Sequence, residues 1–263
     1  MIGWRGASRR RQMFYAVLGV LVLVIAGVVI GVRLAGGSAD PSGPPAQSDP
    51  GPVLLVPGYG GNASSLTTLA GRLRAAGRTA DIVRLPGDGR GDLLAQVATL
   101  DKAVDDALAA GAPSVDVVGY SAGGLVTRLW VARDDGGNKA RRVVTLGSPL
   151  HGTQLAAQGT ALLPGECPLA CQQLVPGSPL LRSVETQPLP AGLRWLSLWT
   201  RDDQTVTPPD SARLAGAVNV PLQQVCPAVR VSHSDLPRAP VVVGIVLGAL
   251  DGPALTAPTK AVC

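Results

Sequence analysis

Ser121, two histidines and two adjacent aspartates are the groups in this 263-residue chain whose types and spacing could act together. Ser121 stands in Gly119-Tyr120-Ser121-Ala122-Gly123. A serine hydroxyl is a poor nucleophile until a base takes its proton. The chain offers two bases, His151 and His233. The base in turn needs a carboxylate to hold its tautomer and to stabilise the imidazolium. Asp202 and Asp203, in Trp199-Thr200-Arg201-Asp202-Asp203-Gln204-Thr205-Val206, compete for that place, with Asp210 a distant third that reads better as a helix cap. Such a set would transfer an acyl group through a covalent acyl-serine. It requires no metal and no organic cofactor, and the cysteine and histidine spacings contain no second close pair that could complete a zinc site.

The elements that must position these groups follow from apolar patterning. Val53–Val56 is a short, wholly apolar run, the mark of a buried strand, and Pro57-Gly58-Tyr59-Gly60-Gly61 ends it in a glycine-rich turn. Leu66, Leu69, Ala70 and Leu73 recur at helical spacing up to Gly77, and Ile82–Leu85 reads as a second strand. Asp92 caps a helix running to about Ala110, ahead of Gly111. Val115–Val118, Val143–Leu146 and Trp195–Trp199 are further strands, and Leu125–Ala132 is a helix. Alternating strands and helices predict an α/β fold, a mostly parallel sheet covered on both faces, with the polar motifs at the carboxyl ends of its strands. Ser121 then lies between a strand and a helix, the setting of a nucleophile elbow, whose glycines relieve crowding around a strained backbone. The chain order Ser, Asp, His belonging to that arrangement selects the late His233 as base and leaves His151 to shape the loop. Asp203 is favoured over Asp202 because it precedes Val206 by three residues and Pro208 by five. One oxyanion donor expected is the backbone amide of Ala122, and the other comes from the loop Pro57-Gly58-Tyr59-Gly60-Gly61. Residues 150–192, rich in proline and poor in periodicity, read as an inserted cap.

Composition excludes other classes. A 46% hydrophobic fraction rules out a disordered chain. The net charge of +5 comes from Arg5, Arg9, Arg10, Arg11 and Arg33, and beyond them basic and acidic residues balance at 18 each. No basic face remains for nucleic acid. Residues 1–35 read as a cytoplasmic tail and transmembrane signal-anchor, because Met13–Val32 is an uncharged run long enough, at ~1.5 Å per residue, to cross a bilayer core. The arginines ahead of it place the remainder outside the cell membrane, and cleavage after residues 37–39 would instead yield a secreted protein. Residues 36–52 form a Pro/Gly-rich linker and 53–263 the catalytic domain. Cys167, Cys171, Cys226 and Cys263 allow three pairings, of which Cys167–Cys171 with Cys226–Cys263 is favoured, in keeping with an oxidising compartment.

Five stretches together carry a family resemblance: Val-Pro-Gly-Tyr-Gly-Gly (56–61), Gly-Tyr-Ser-Ala-Gly-Gly (119–124), Gly-Ser-Pro-Leu-His-Gly-Thr (147–153), Asp-Asp-Gln-Thr-Val (202–206) and His-Ser-Asp-Leu-Pro (233–237). From Val53 onward the chain resembles the secreted bacterial lipase/esterase family, lipase class 2 of the α/β-hydrolase superfamily, common in actinobacteria. The resemblance implies an α/β-hydrolase fold and hydrolysis of lipid or acyl esters by Ser121, Asp203 and His233, with the Tyr59 and Ala122 amides as oxyanion donors. The family usually carries His-Gly where this chain has Pro57-Gly58. Two other classes fit the same residues: an acyltransferase serving a cell-envelope acceptor, and a non-catalytic envelope protein that retains the fold.

Overall fold

The computed structural model describes residues 13–15, 17–25, 27, 44–163 and 165–263. In the unit that begins at Ser42, six strands form one sheet in the order β2-β1-β3-β4-β5-β6. They are β1 (Val53–Val56), β2 (Ala80–Ile82), β3 (Val115–Tyr120), β4 (Ala140–Leu146), β5 (Arg194–Trp199) and β6 (Val218–Pro221). All five pairings are parallel, so each crossover must carry the chain back over a face of the sheet.

One face is covered by α1 (Thr67–Ala75) and α7 (Pro240–Asp251), the other by α2 (Leu93–Ala109) and α3 (Ala122–Arg133). Leu69, Ala70 and Leu73 of α1 are fully buried, as their spacing requires. Asp92 Oδ1 accepts the Leu94 amide at 3.0 Å and starts α2. With both faces covered, β1, β3 and β4 are buried at every residue. The direction in which strands are added reverses at β1: β2 lies to one side of it and every later strand to the other. The carboxyl ends of β1 and β3 therefore flank a crevice, where sheets of this kind bind ligands.

Several boundaries differ from the sequence reading. The second strand is Ala80–Ile82 rather than Ile82–Leu85. Val83 still donates to Leu55 O at 2.9 Å, but β1 ends at Val56 before Pro57, leaving Arg84 and Leu85 without a ladder partner. β4 starts three residues early, at Ala140, and takes in Arg141 and Arg142. β6 went unread, being four residues long and ending in proline. Residues 44–52, read as linker, hydrogen-bond to the start of the sheet: Arg141 Nη1 donates to Gln47 O at 3.0 Å and Arg142 Nε to Gln47 Oε1 at 3.0 Å. The insert holds three short helices, α4 (Gln154–Leu162), α5 (Leu169–Gln173) and α6 (Pro179–Glu185). Both favoured disulfides, Cys167–Cys171 and Cys226–Cys263, are formed. Residues 13–15, 17–25 and 27 are helical and those with a described surface are exposed. The rest of the Met13–Val32 segment, with most of the tail and linker, lies outside the described residues. No helix among the described residues is long and apolar enough to cross a membrane.

The amino edge of the sheet is tied by charge. Asp116, at 0% exposure, accepts from Arg78 Nη2 at 2.6 Å, Arg141 Nε at 3.0 Å and Arg141 Nη2 at 2.5 Å. Arg141 Nη2 also donates to Leu250 O at 2.7 Å, and Arg78 Nη1 to Asp251 Oδ1 at 2.5 Å, so the cluster joins β3 and β4 to the end of α7. Removing the central carboxylate leaves buried guanidinium charge uncompensated. Asp116→Asn should therefore cost about 3–5 kcal/mol of unfolding free energy. Asp106→Asn, which breaks only the exposed i,i+4 pair with Lys102, should cost about 0.5 kcal/mol or less. Urea denaturation of both variants checks this, and similar small losses would contradict it.

Candidate active site

Ser121 occupies the turn between β3 and α3 with φ 52° and ψ −128°, a left-handed backbone that a non-glycine residue adopts only under strain. Two contacts impose it. The Ser121 amide donates to Leu146 O of β4 at 2.9 Å, and the Gly124 amide donates to Ser121 O at 2.9 Å. The following helix leaves no room for a side chain at its second and third residues: a Cβ on Gly123 would lie 2.3 Å from Val56 O and one on Gly124 1.9 Å from Ser148 Oγ. The Gly-x-Ser-x-Gly-Gly spacing thus has a steric cause as well as a conformational one.

Asp203 follows β5 in a tight turn and is 4% exposed. Its Oδ1 accepts the amides of Thr205 at 2.9 Å and Val206 at 2.8 Å. Those bonds fix the carboxylate and leave Oδ2 free for His233. The turn is held in place by Thr153, whose Oγ1 donates to Thr205 O at 2.7 Å and accepts the Thr207 amide at 3.1 Å. His233 begins the 3-10 turn His233–Asp235. Its Nδ1 lies 2.7 Å from Asp203 Oδ2 and its Nε2 lies 3.0 Å from Ser121 Oγ. Behind the imidazole stands Tyr120, with ring centroids 5.2 Å apart and its hydroxyl donating to His233 O at 3.2 Å. Burial, and then the charge of Asp203, push the Tyr120 hydroxyl up to about 12, so it remains a donor at any ordinary pH.

The three side chains singled out from three distant parts of the sequence are thus joined in one hydrogen-bonded row. The competing groups lie elsewhere. Asp202 Oδ2 accepts from Gln223 Nε2 at 3.1 Å. Asp210 is exposed within the single turn Pro209–Ala212. His151 Nε2 pairs with Arg213 O at 3.0 Å and its Nδ1 lies 3.8 Å from Glu185. Tyr59 follows β1, and Ala122 is the first residue of α3. Neither amide donates to a backbone carbonyl among the described residues, and Tyr59 and Ser121 line the same cleft. Tyr120, Thr153 and Gln223 escaped the sequence reading. Tyr120 and Thr153 sit inside motifs already noted. Gln223, which orders the turn through Thr200 Oγ1 at 2.9 Å and the Arg201 amide at 2.8 Å, carries no signal at all.

The cleft measures about 170 Å³, and apart from Ser121 and two threonines its walls are largely apolar, with Leu155, Ala156, Leu174 and Val206 prominent. In the unit from Ser42 onward, the strongly exposed large apolar side chains among the described residues are Tyr59, Leu155, Leu162, Leu163 and Leu169. Four belong to the cap, and Tyr59 and Leu155 line the cleft itself. No His/Cys/Asp/Glu group able to hold a metal occurs among the described residues.

A family model described as palmitoyl protein thioesterase matches residues 52–185, a span that includes Ser121 and most of the cap but neither Asp203 nor His233. Among solved structures the chain is similar to lipase B of Aspergillus fumigatus, at 19% identity and a TM-score of 0.67 over 82% of this chain. That match spans 56% of the fungal protein. It is also similar to the mature lipase BlEst2 of Bacillus licheniformis, at 18% identity and a TM-score of 0.61 over 76% of this chain and 91% of that one. The lin2722 gene product of Listeria innocua matches at 16% identity and a TM-score of 0.55 over 79% and 98% of the two chains. At these identities the likeness is one of fold, the α/β-hydrolase fold. A search of curated proteins finds no match.

The geometry separates the two neighbouring aspartates. Asp203→Asn should preserve the fold yet present an amide to His233 Nδ1, lowering kcat toward a p-nitrophenyl ester by about 10³–10⁴. Asp202→Asn loses one bond to Gln223 and should lower kcat by less than about tenfold. Steady-state kinetics of the two variants check this, and a larger loss at Asp202 would assign the carboxylate role to the wrong residue.

Proposed function

Because the chain belongs to the palmitoyl protein thioesterase family, we propose that it is a serine acyl hydrolase that cleaves fatty acyl esters or thioesters. The observation that carries this reading is the row Asp203–His233–Ser121, with separations of 2.7 and 3.0 Å, opening onto an apolar cleft. His233 Nε2 takes the proton of Ser121 as Oγ adds to the acyl carbonyl. The tetrahedral oxyanion is held by the amides of Tyr59 and Ala122, the latter at the positive end of α3. His233 returns its proton to the leaving alcohol or thiol, and an acyl-serine remains. Water deprotonated by the same imidazole then releases the fatty acid, while Asp203 stabilises each imidazolium without itself taking the proton.

The substrate class is supported by the cleft walls and by the family. The family's description favours a thioester on a protein, whereas the lipase structures favour an oxygen ester, and both bonds break by the same steps. Placement in lipase class 2 is a narrower reading carried by the sequence motifs alone. An extracytoplasmic location is supported by the two disulfides, which persist in oxidising compartments. Anchoring by residues 13–32 is supported by their apolar sequence and by the arginines ahead of them.

Acyl-chain length tests the reading. Each methylene buried in the cleft is worth about 0.8 kcal/mol, or roughly fourfold in kcat/KM. Across p-nitrophenyl esters and matched acyl thioesters, kcat/KM should climb by about that factor per methylene until the cleft is filled and then level off. Folded Ser121→Ala should lose turnover of both series. A flat chain-length profile would remove the cleft as the acyl site, and wild-type turnover by Ser121→Ala would remove the serine mechanism.

A further inference from the structure

Arg128, on α3, is a buried charge that the chemistry above does not use. It is 3% exposed. Its Nη2 donates to Val184 O at 3.1 Å and to Gln187 O, both at the carboxyl end of α6. Its Nη1 has no hydrogen-bond partner among the described residues, and no carboxylate among them lies within 4.0 Å of it. Burial pulls its pKa below the ordinary arginine value. Carbonyls at a helix end supply partial negative charge, but they do not neutralise a guanidinium, and buried charges in proteins are as a rule paired.

Arg128 lines a cavity of about 330 Å³ that shares no residue with the acyl cleft. This volume is at the lower end of the range for small-molecule sites. A second cation stands on its wall: Arg213, exposed, with its guanidinium 5.7 Å from the centre of the Trp199 ring. Leu150, Val184 and Leu214 provide apolar wall. Glu185 also lines it, exposed and 3.8 Å from His151 Nδ1.

We propose that this cavity binds a short-chain carboxylate, its oxygens on the guanidinium groups of Arg128 and Arg213 and its hydrocarbon against the leucines. Two cations set the sign of the ligand. Glu185 disfavours a second negative charge, and the apolar wall disfavours a compact, fully hydrated anion, so a monocarboxylate suits the site better than phosphate. The anchor of the site is Arg128 Nη1, a charged donor left unpartnered among the described residues while Nη2 is taken by the Val184 and Gln187 carbonyls.

The test is calorimetric titration of the full-length protein, in detergent, with butyrate and with inorganic phosphate, repeated on three variants. Butyrate should bind saturably, more tightly than phosphate, and more weakly as salt is raised. Arg213→Gln should weaken it by about threefold or more, and Glu185→Gln should tighten it by a similar factor. Arg128→Met should abolish binding where the variant folds. Because Arg128 also caps α6, a misfolded Arg128→Met leaves the decision to the Arg213 and Glu185 pair, which lie outside the acyl cleft. Absence of saturable butyrate binding would overturn the proposal. So would butyrate binding that is indifferent to Arg213 and Glu185, since that result places it in the acyl cleft. Tighter binding of phosphate than of butyrate would overturn the assigned ligand class.

Discussion

The arrangement depends on a contact between backbones in which no side chain can stand. α3 enters the sheet so closely that a Cβ on Gly123 would lie 2.3 Å from Val56 O and 2.4 Å from Pro57 O. That approach presses the first turn of the helix against the carboxyl end of β1. It forces Ser121 into a left-handed conformation and brings the loop carrying Tyr59 beside it. The strain at Ser121 is sustained by the bonds to Leu146 O and from the Gly124 amide, and by a sheet that is buried on both faces. A looser helix would relax the turn and withdraw the hydroxyl from the crevice.

Around that fixed point the other two groups arrive on separate supports. Asp203 is held by the amides of its own turn, and the turn by Thr153 from the start of the cap. His233 is held through Tyr120, the residue preceding the serine. The turn at Ser121 therefore positions His233 as well, and the cap that walls the apolar cleft also braces Asp203. The cleft and the hydrogen-bonded row share a scaffold. Loosening Thr153 should reach the imidazole without touching it.

Much of this was legible in the residues. Strand β1 is an apolar run and β3 and β5 are mostly apolar, Asp92 and Gly111 bound α2, and Asp203, His233 and Ser121 stand in the order and motifs that the arrangement requires. What escaped was carried by long-range pairing. Arg141 and Arg142 look unlike strand because their charges are met by Asp116, by Gln47 and by carbonyls of α7, none of them near in sequence. Gln47 made a proline-rich stretch part of the fold for the same reason. The cap's helices are five to nine residues long, too short for periodicity to announce, and they persist by packing, α5 against α2, α6 against α3, and α4 against α5. Gln223 lies 21 to 23 residues from the groups it bonds in the turn it orders, and only its position reveals its role.

The central claim is that Ser121 is made nucleophilic by His233 and Asp203 at the mouth of an acyl cleft. Labelling with a serine-reactive alkyl phosphonate, followed by peptide mass mapping, addresses it directly. The account predicts one adduct per chain, on Ser121, formed far more slowly in folded His233→Ala. An adduct on another serine, or a wild-type labelling rate in His233→Ala, would contradict it.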